Sequence, residues 1–302
     1  MHDVYAYGVI AASTHVELMD GYPAEGGYAE IRALQPSLGG EAAASAYVLA
    51  RLGVSTKLAG SELGSGAGAH WALERLTAVG VDCRDVGVVP GTGVTEWVVS
   101  SPGHRTVFAS YGRMVEASAW RPPDRADVRS SRMVCLDPFF PGSSTRAAEW
   151  CVADGVPYVT VDVASDSDIA QNAAAVVLAG EYAARTLGGR DPDDLVAEYT
   201  ARCRGLVILT AGNGPVRYRR RGGRLRRSAA FDVAARDTTG AGDAFRAGVM
   251  YGLLRGMPDD DVITTASAVA AMVCCTSPGV LHTPTEIELE AFLAERPSIA
   301  GG

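Results

Sequence analysis

The stretch Asp237-Thr238-Thr239-Gly240-Ala241-Gly242-Asp243-Ala244-Phe245 concentrates residues that can do chemistry. Glycines on either side of Ala241 leave the backbone free to present several N–H groups where a helix begins, and such a turn is a ready anion site. The carboxylate of Asp243 then falls in the first helical turn, beside any phosphate the turn would hold. Phosphoryl transfer needs both parts: donors that neutralise the transferring group, and a carboxylate that takes the proton of the attacking hydroxyl. Without the rest of the stretch, Asp243 would read as a carboxylate complementing the helix dipole, worth ~0.3–1 kcal/mol.

The elements that must position this turn are legible as patterns. Residues 4–10 form a buried strand ending in the small polar run 11–14. Residues 28–34 alternate, as do 94–100 and 105–109, the last two joined by Pro102-Gly103-His104, good hairpin chemistry. These segments are assigned to one small β-sheet, because parallel core strands are near-continuously apolar instead. Within it Glu96 alternates with Thr95 and Trp97, and the sequence does not fix which parity faces a ligand. Arg105 is expected to be exposed on the hairpin. Gly39 is expected to open a helix with Ala43, Ala46, Tyr47 and Ala50 on one face, stopping at Gly53; a strand at 56–59 and a helix at 67–79 follow.

From Arg132 onward, strand-like runs at 133–136, 158–161, 175–178 and 206–210 alternate with helical ones at 145–153, 181–187 and 193–203. Such alternation implies βαβ units and a mainly parallel sheet. Helices over 241–254 and 259–275 follow, and a Thr-x-x-Glu-like start at Thr285 opens a last helix over 285–294.

The signature stretch resembles the D-T-x-G-A-G-D-x-F motif of the ribokinase-like (PfkB-type) carbohydrate kinases. Gly39-Gly40, Gly60-Ser61-Glu62-Leu63-Gly64 and Thr210-Ala211-Gly212 resemble further motifs of that family, in the right order and spacing from about residue 4 to about residue 295. The resemblance implies an α/β, doubly wound, mainly parallel sheet with a small β-sheet lid. It places residues 1–13, 39–90 and 113–302 in the kinase core, and residues 14–38 and 91–112 in the lid over the substrate. It further implies ATP and Mg²⁺, with Asp243 as base and Gly240, Ala241 and Gly242 as the anion hole. Thr210, Gly212 and Thr239 would lie at the nucleotide, and Ser13, Gly39 and Gly40 at the acceptor. Asp237 and Thr239 resemble the family's neighbours of a monovalent cation, K⁺, with a cap and turn role as the alternative. The lid is often the dimer interface in the family, and the alternating strands here would leave a sheet face or edge in need of cover.

The acceptor side departs from the family pattern. Ala44 stands where an Asn is usual, Ser13 or Thr14 where an Asp grips two sugar hydroxyls, and Gly180-Glu181-Tyr182-Ala183 where N-x-x-E belongs to the magnesium network. Pro215 displaces the second glycine of the nucleotide loop. Glu41, just after the glycine pair, would repel a phosphate. The expectation is therefore an ATP-dependent kinase for an unphosphorylated sugar, sugar acid or nucleoside-like molecule. A ligand-binding or regulatory relative with weakened catalysis is the alternative.

Composition agrees. In 302 residues, 47% apolar and 21% charged, there is room for about two domains of roughly 150 residues or one large α/β unit with an appendage. A net charge of −8 disfavours nucleic acid and anionic membrane as partners. Residues 217–227 are rich in arginine but surround Gly222-Gly223 and read as a solvated hairpin. The six cysteines and His15, His70, His104 and His282 lack metal-ligand spacing. No signal-peptide pattern opens the chain, and the longest apolar run is too short for a bilayer, so a cytoplasmic location is expected.

Overall fold

The computed structural model describes residues 2–91, 93–101 and 104–295. In chain order, β1 (Val4–Gly8), β2 (Ala11–Leu18) and β3 (Ile31–Gly39) lead into α1 (Glu41–Arg51); β4 (Thr56–Gly60) and β5 (Leu63–Gly64) lead into α2 (Ala67–Ala78). Next come β6 (Val88–Val89), β7 (Thr95–Ser101), β8 (His104–Ala109), α3 (Tyr111–Glu116) and α4 (Arg125–Ser130). A βαβ series follows: β9 (Met133–Leu136), α5 (Ser143–Asp154), β10 (Tyr158–Val161), α6 (Asp168–Asn172), β11 (Ala175–Leu178), α7 (Gly180–Thr186), α8 (Pro192–Arg202) and β12 (Leu206–Leu209). The hairpin β13 (Val216–Arg219) and β14 (Arg226–Ser228) precedes α9 (Ala241–Leu254), α10 (Asp259–Cys274) and α11 (Glu286–Glu295).

The main sheet runs β14-β13-β12-β11-β10-β9-β1-β4. From β4 to β12 every pairing is parallel, and β13 and β14 add antiparallel strands at one edge. The sheet is doubly wound: Val4 and Ala6 of β1 point into a core shared with α1, α9 and α10, while Tyr5 and Tyr7 point into one shared with α5 and α8. Burial on both faces explains why these strands read as continuous apolar runs, each Val or Leu stabilising by about 1.5–3 kcal/mol. The hairpin expected at 217–227 is β13–β14, its arginines paired with acids: Arg217 with Asp193 at 2.8 Å, Arg220 with Asp259 at 2.8 Å and Arg226 with Asp260 at 2.7 Å. Thr285 and Glu288 close the expected capping box on α11, the Glu288 carboxylate accepting from Thr285 N at 2.7 Å.

A second, separate sheet is ordered β3-β2-β7-β8, with β2 and β7 parallel. Three local expectations need correction. Residues 11–14 are not a run that closes β1; they begin β2, whose inward positions are Ser13 and His15 rather than apolar groups, and so the alternation was hidden. The neighbouring strand spans Ile31–Gly39 rather than 28–34, leaving Tyr28 outside it and 82% exposed. Gly39 ends that strand instead of opening a helix, and Gly40 is the N-cap of α1. β7 and β8 pair through Ser101↔His104, while Pro102 and Gly103 of the expected turn lie outside the described residues. No helix among the described residues is long and apolar enough to cross a membrane.

Candidate active site

The carboxyl ends of the parallel strands bring one residue after another to a common edge, the usual place for ligands in an open α/β sheet. Asp137 follows β9 and is fully buried against β1, where its Oδ2 accepts from Val9 N at 2.7 Å. Asp162 follows β10, accepts from Ala179 N at 2.8 Å, and is pushed up to about 6 chiefly by burial. Thr210 follows β12, its hydroxyl donating to Leu178 O at 3.3 Å, and Gly212 sits in the next turn at φ 59°. The start of α7 packs tightly on that strand end, since a Cβ on Gly180 would lie 2.8 Å from Thr210 O.

Above this edge the signature stretch turns into α9. Gly240 is the N-cap with φ 77° and ψ 1°, a left-handed conformation that a side chain would strain, and an added Cβ would also meet Val280 at 3.1 Å. The amide of Ala241 is turned back onto Thr238 O at 3.2 Å, so the anion site that the turn offers rests on Gly242 and Asp243 more than on Ala241. Thr239 Oγ1 is buried without a hydrogen-bond partner, which fits a residue waiting for a ligand. Asp237 is engaged by the protein itself: its carboxylate accepts from Thr239 N at 2.9 Å, Ser277 Oγ at 3.3 Å and Gly279 N at 3.4 Å. His15 of β2 comes within 3.5 Å of the same carboxylate, which ties the small sheet to the turn. That donor set matches the cap and turn role.

Asp243 lies half-buried in the first turn of α9. Burial pushes its carboxyl up to about 7; Arg246 opposes the shift, and the carboxylates of Asp137 and Glu96 add to it. Arg246, one turn further on, is completely buried, an unusual state for a guanidinium. It donates to Asp137 Oδ1 at 2.5 Å, Ser45 Oγ at 3.0 Å and the backbone carbonyl of Glu41 at 2.5 Å. Ser45 Oγ in turn lies 3.3 Å from Asp243 O. The guanidinium thus fastens α1, α9 and the end of β9 around the base.

The small sheet closes the other side. Its register places Ser37, Ser13 and Glu96 in one cross-strand row facing inward. Glu96 is the inward residue and Trp97 the outward one, 53% exposed. The Glu96 carboxyl fills the space beside Gly39, where an added Cβ would lie 2.1 Å from Oε1, and it accepts from the Tyr111 hydroxyl at 2.5 Å. Position 39 has no room for a side chain because the Glu96 carboxyl packs on it. Burial raises the pKa of Glu96, with the Tyr111 hydroxyl pulling the other way. Arg105 reaches inward, contrary to expectation, donating to Thr238 O and Oγ1 and approaching Glu181 at 3.4 Å.

Asp243, Gly240, Ala241, Gly242, Thr239 and Asp237 are thus contiguous, with Ser13, Gly39 and Gly40 on the facing side and Thr210 and Gly212 along the strand edge. Sequence reasoning did not single out Asp137, Tyr111, Asp162 or Arg246. An arginine inside the otherwise apolar face of α9 was the one available signal. Among the described residues no group of three or more His, Cys, Asp and Glu side chains could hold a metal ion.

Asp243 in the first turn of α9, the Gly240–Gly242 turn before it and the inward row of Ser13, Ser37 and Glu96 thus stand at the carboxyl edge of a doubly wound sheet, where α/β proteins bind small ligands. The sequence matches the pfkB family carbohydrate kinase profile over residues 4–286. The chain belongs to that family and is an ATP-dependent carbohydrate kinase. Among curated relatives, an ATP-dependent ribose-1-phosphate kinase of Halopiger xanaduensis is 29% identical over 292 residues, covering 92% of this chain and 94% of its own. Among solved structures, Arabidopsis thaliana ribokinase complexed with ribose and ATP superimposes with a TM-score of 0.81 at 20% identity, covering 97% of this chain and 98% of its own. A Burkholderia thailandensis nucleoside kinase in complex with inosine gives 0.79 at 20% identity, covering 97% and 96%. These two share the fold.

Proposed function

We propose that this kinase phosphorylates a hydroxyl, a primary one by preference, of an unphosphorylated sugar or nucleoside-like molecule held between the small sheet and the main sheet. The observation that carries the reading is Asp243 at the head of α9 directly behind Gly240 and Gly242. The acceptor hydroxyl gives its proton to the Asp243 carboxylate, and its oxygen forms a bond to the γ-phosphorus of ATP. The bond from that phosphorus to the β–γ bridging oxygen breaks, and ADP leaves with the electron pair. The amides of the turn stabilise the charge on the transferring group. Magnesium, carried on the nucleotide phosphates, would supply further neutralisation there. Thr210, Gly212 and Thr239 serve the nucleotide, whereas Asp237 acts as a structural cap.

The name of the Halopiger relative specifies a phosphorylated acceptor, and ribose and inosine occupy the two solved relatives. In this chain the carboxylates of Glu41, Glu96, Asp137 and Asp243 outnumber the guanidiniums of Arg246 and Arg105 that act on them. A phosphate or a sugar acid would meet that field unfavourably. The test is acceptor-dependent ADP formation across sugars, sugar phosphates, polyols and nucleosides, with Asp243→Asn as control. Turnover confined to phosphorylated acceptors would refute the substrate reading, and turnover surviving in the variant would refute the base. We also propose a homodimer through the outward face of the small sheet, where Leu34, Trp97 and Phe108 are 60%, 53% and 60% exposed.

A further inference from the structure

We propose that the acceptor carries a protonated amine beside its hydroxyls, as in an amino sugar or aminopolyol, and that Glu41 is the residue that selects it. The inference rests on the kinase reading above and narrows its substrate.

Glu41 Oε2 is buried and has no hydrogen-bond partner. The nearest guanidinium is spent elsewhere: Arg246 gives its donors to Asp137, to Ser45 Oγ and to the backbone carbonyl of Glu41, and none to the Glu41 carboxylate. Among the described residues no Lys, Arg or His forms an ion pair with Glu41. Burial and the charges of Asp137 and Asp243 raise its pKa well above the usual carboxylate range. An unpaired buried carboxylate is costly, and it is relieved by a proton or by a cation.

A second, independent observation, on the small sheet beside Gly39, points to a ligand. Ser13 and Ser37 are nearly fully buried on the small sheet; the Ser37 hydroxyl has no hydrogen-bond partner, and the Ser13 hydroxyl beside it faces the Glu96 carboxylate. They are cross-strand partners, and Ser13 is also the partner of Glu96, whose carboxyl lies against Gly39, two residues before Glu41. Buried orphaned hydroxyls are rare in a finished core and need an explanation. An ammonium group brings three donors and a positive charge, matching an acceptor set of a carboxylate and serine oxygens. Beside a neutral hydroxyl Glu41 would have to keep its proton, whereas an ammonium pairs with the ionised carboxylate, and an anionic group would add to the repulsion.

The experiment compares matched acceptors with the full-length protein: glucosamine against glucose, an aminocyclitol against inositol, and ribose 1-phosphate. We expect kcat/KM for the amines to exceed that for their hydroxyl parents by about tenfold or more, the scale of one charge-assisted hydrogen bond. Glu41→Gln should abolish that ratio, and Ser37→Ala, which removes no charge, should reduce it less. Equal or better turnover of the neutral or phosphorylated compounds overturns the proposal while leaving the kinase reading intact. Absence of acceptor-dependent turnover with every compound overturns the acceptor class proposed above. In that case thermal stabilisation by the amines over their parents, lost in Glu41→Gln, still decides the amine site, and equal stabilisation refutes it.

Discussion

Arg246 and Asp137, 109 residues apart in the chain, meet at 2.5 Å with neither side chain exposed to solvent. A buried ion pair is weak evidence of stability by itself, because desolvation offsets the attraction. Removing one partner is another matter, since the survivor is left charged and unpaired. Asp137→Asn should cost about 3–5 kcal/mol, read as a lower denaturation midpoint. Arg246→Met should cost a similar amount and also remove the positive charge that opposes the upward shift at Asp243. Its pH–rate profile should then move to higher pH, a change that a purely structural role would not produce.

The base itself makes a pH prediction in two parts. With its pKa pushed up to about 7 by burial, Asp243 is protonated and idle in mild acid in the free protein, so kcat/KM should rise with pH through about 7. The stability linkage has the opposite sign. The folded state binds the proton more tightly than the unfolded chain, so Asp243's contribution to stability is present below the ordinary carboxylate pKa and is lost as pH rises through about 7. Asp243→Asn should flatten both profiles, lower kcat by about 10²–10⁴-fold and leave the protein folded at pH 8.

Gly39 tests the small sheet. An Ala there would put its Cβ 2.1 Å from Glu96 Oε1, so the carboxylate must swing away from its place beside Gly39. We expect a stability loss of about 1–3 kcal/mol, as for other overpacked sites. KM for the acceptor should rise while KM for ATP stays near its original value. Equal effects on both would show that the chamber is not the acceptor site.

The outward face of that sheet gives an assembly prediction. Trp97 and Phe108 are cross-strand partners standing exposed together. Replacing both with Ser should shift sedimentation from dimer to monomer. A wild-type chain that sediments as a monomer at every concentration would sink the proposal.

How much of this was readable beforehand follows from what each element buries. The parallel strands and the helices around them were legible because both faces of the main sheet are apolar, and the Asp243 turn because its glycines obey a backbone requirement. β2 was not, because its inward residues Ser13 and His15 face a polar chamber, and polarity there mimics a loop. The inward parity of Glu96 needed the strand register, which no local pattern carries. Asp137 and Arg246 were invisible as a pair because only the fold closes the distance between them. Most of the proposed base and anion turn was therefore written in contiguous residues, while the residues facing them came from distant parts of the chain.

Arg105 shows what that assembly adds. It stands on β8, yet its guanidinium reaches the carbonyl and hydroxyl of Thr238, next to the anion turn, and approaches Glu181 on α7. The Glu181 side chain is largely exposed, so its pairing contributes little, about 0–1 kcal/mol at most, and Glu181→Gln should change kinetics only slightly. The bond to Thr238 is charge-assisted and partly shielded, and it links the small sheet to the turn at the head of α9. Arg105→Ala should loosen that link, lowering kcat with the acceptor by about tenfold or more. ATP hydrolysis without acceptor should rise, because water enters where the sheet no longer rests on the turn. Arg105→Lys retains the charge but not the forked geometry, and it should recover only part of the loss. The ratio of acceptor-dependent to acceptor-independent ADP formation in the three variants measures the effect; an unchanged ratio in Arg105→Ala would mean that the contact does not couple the two sheets.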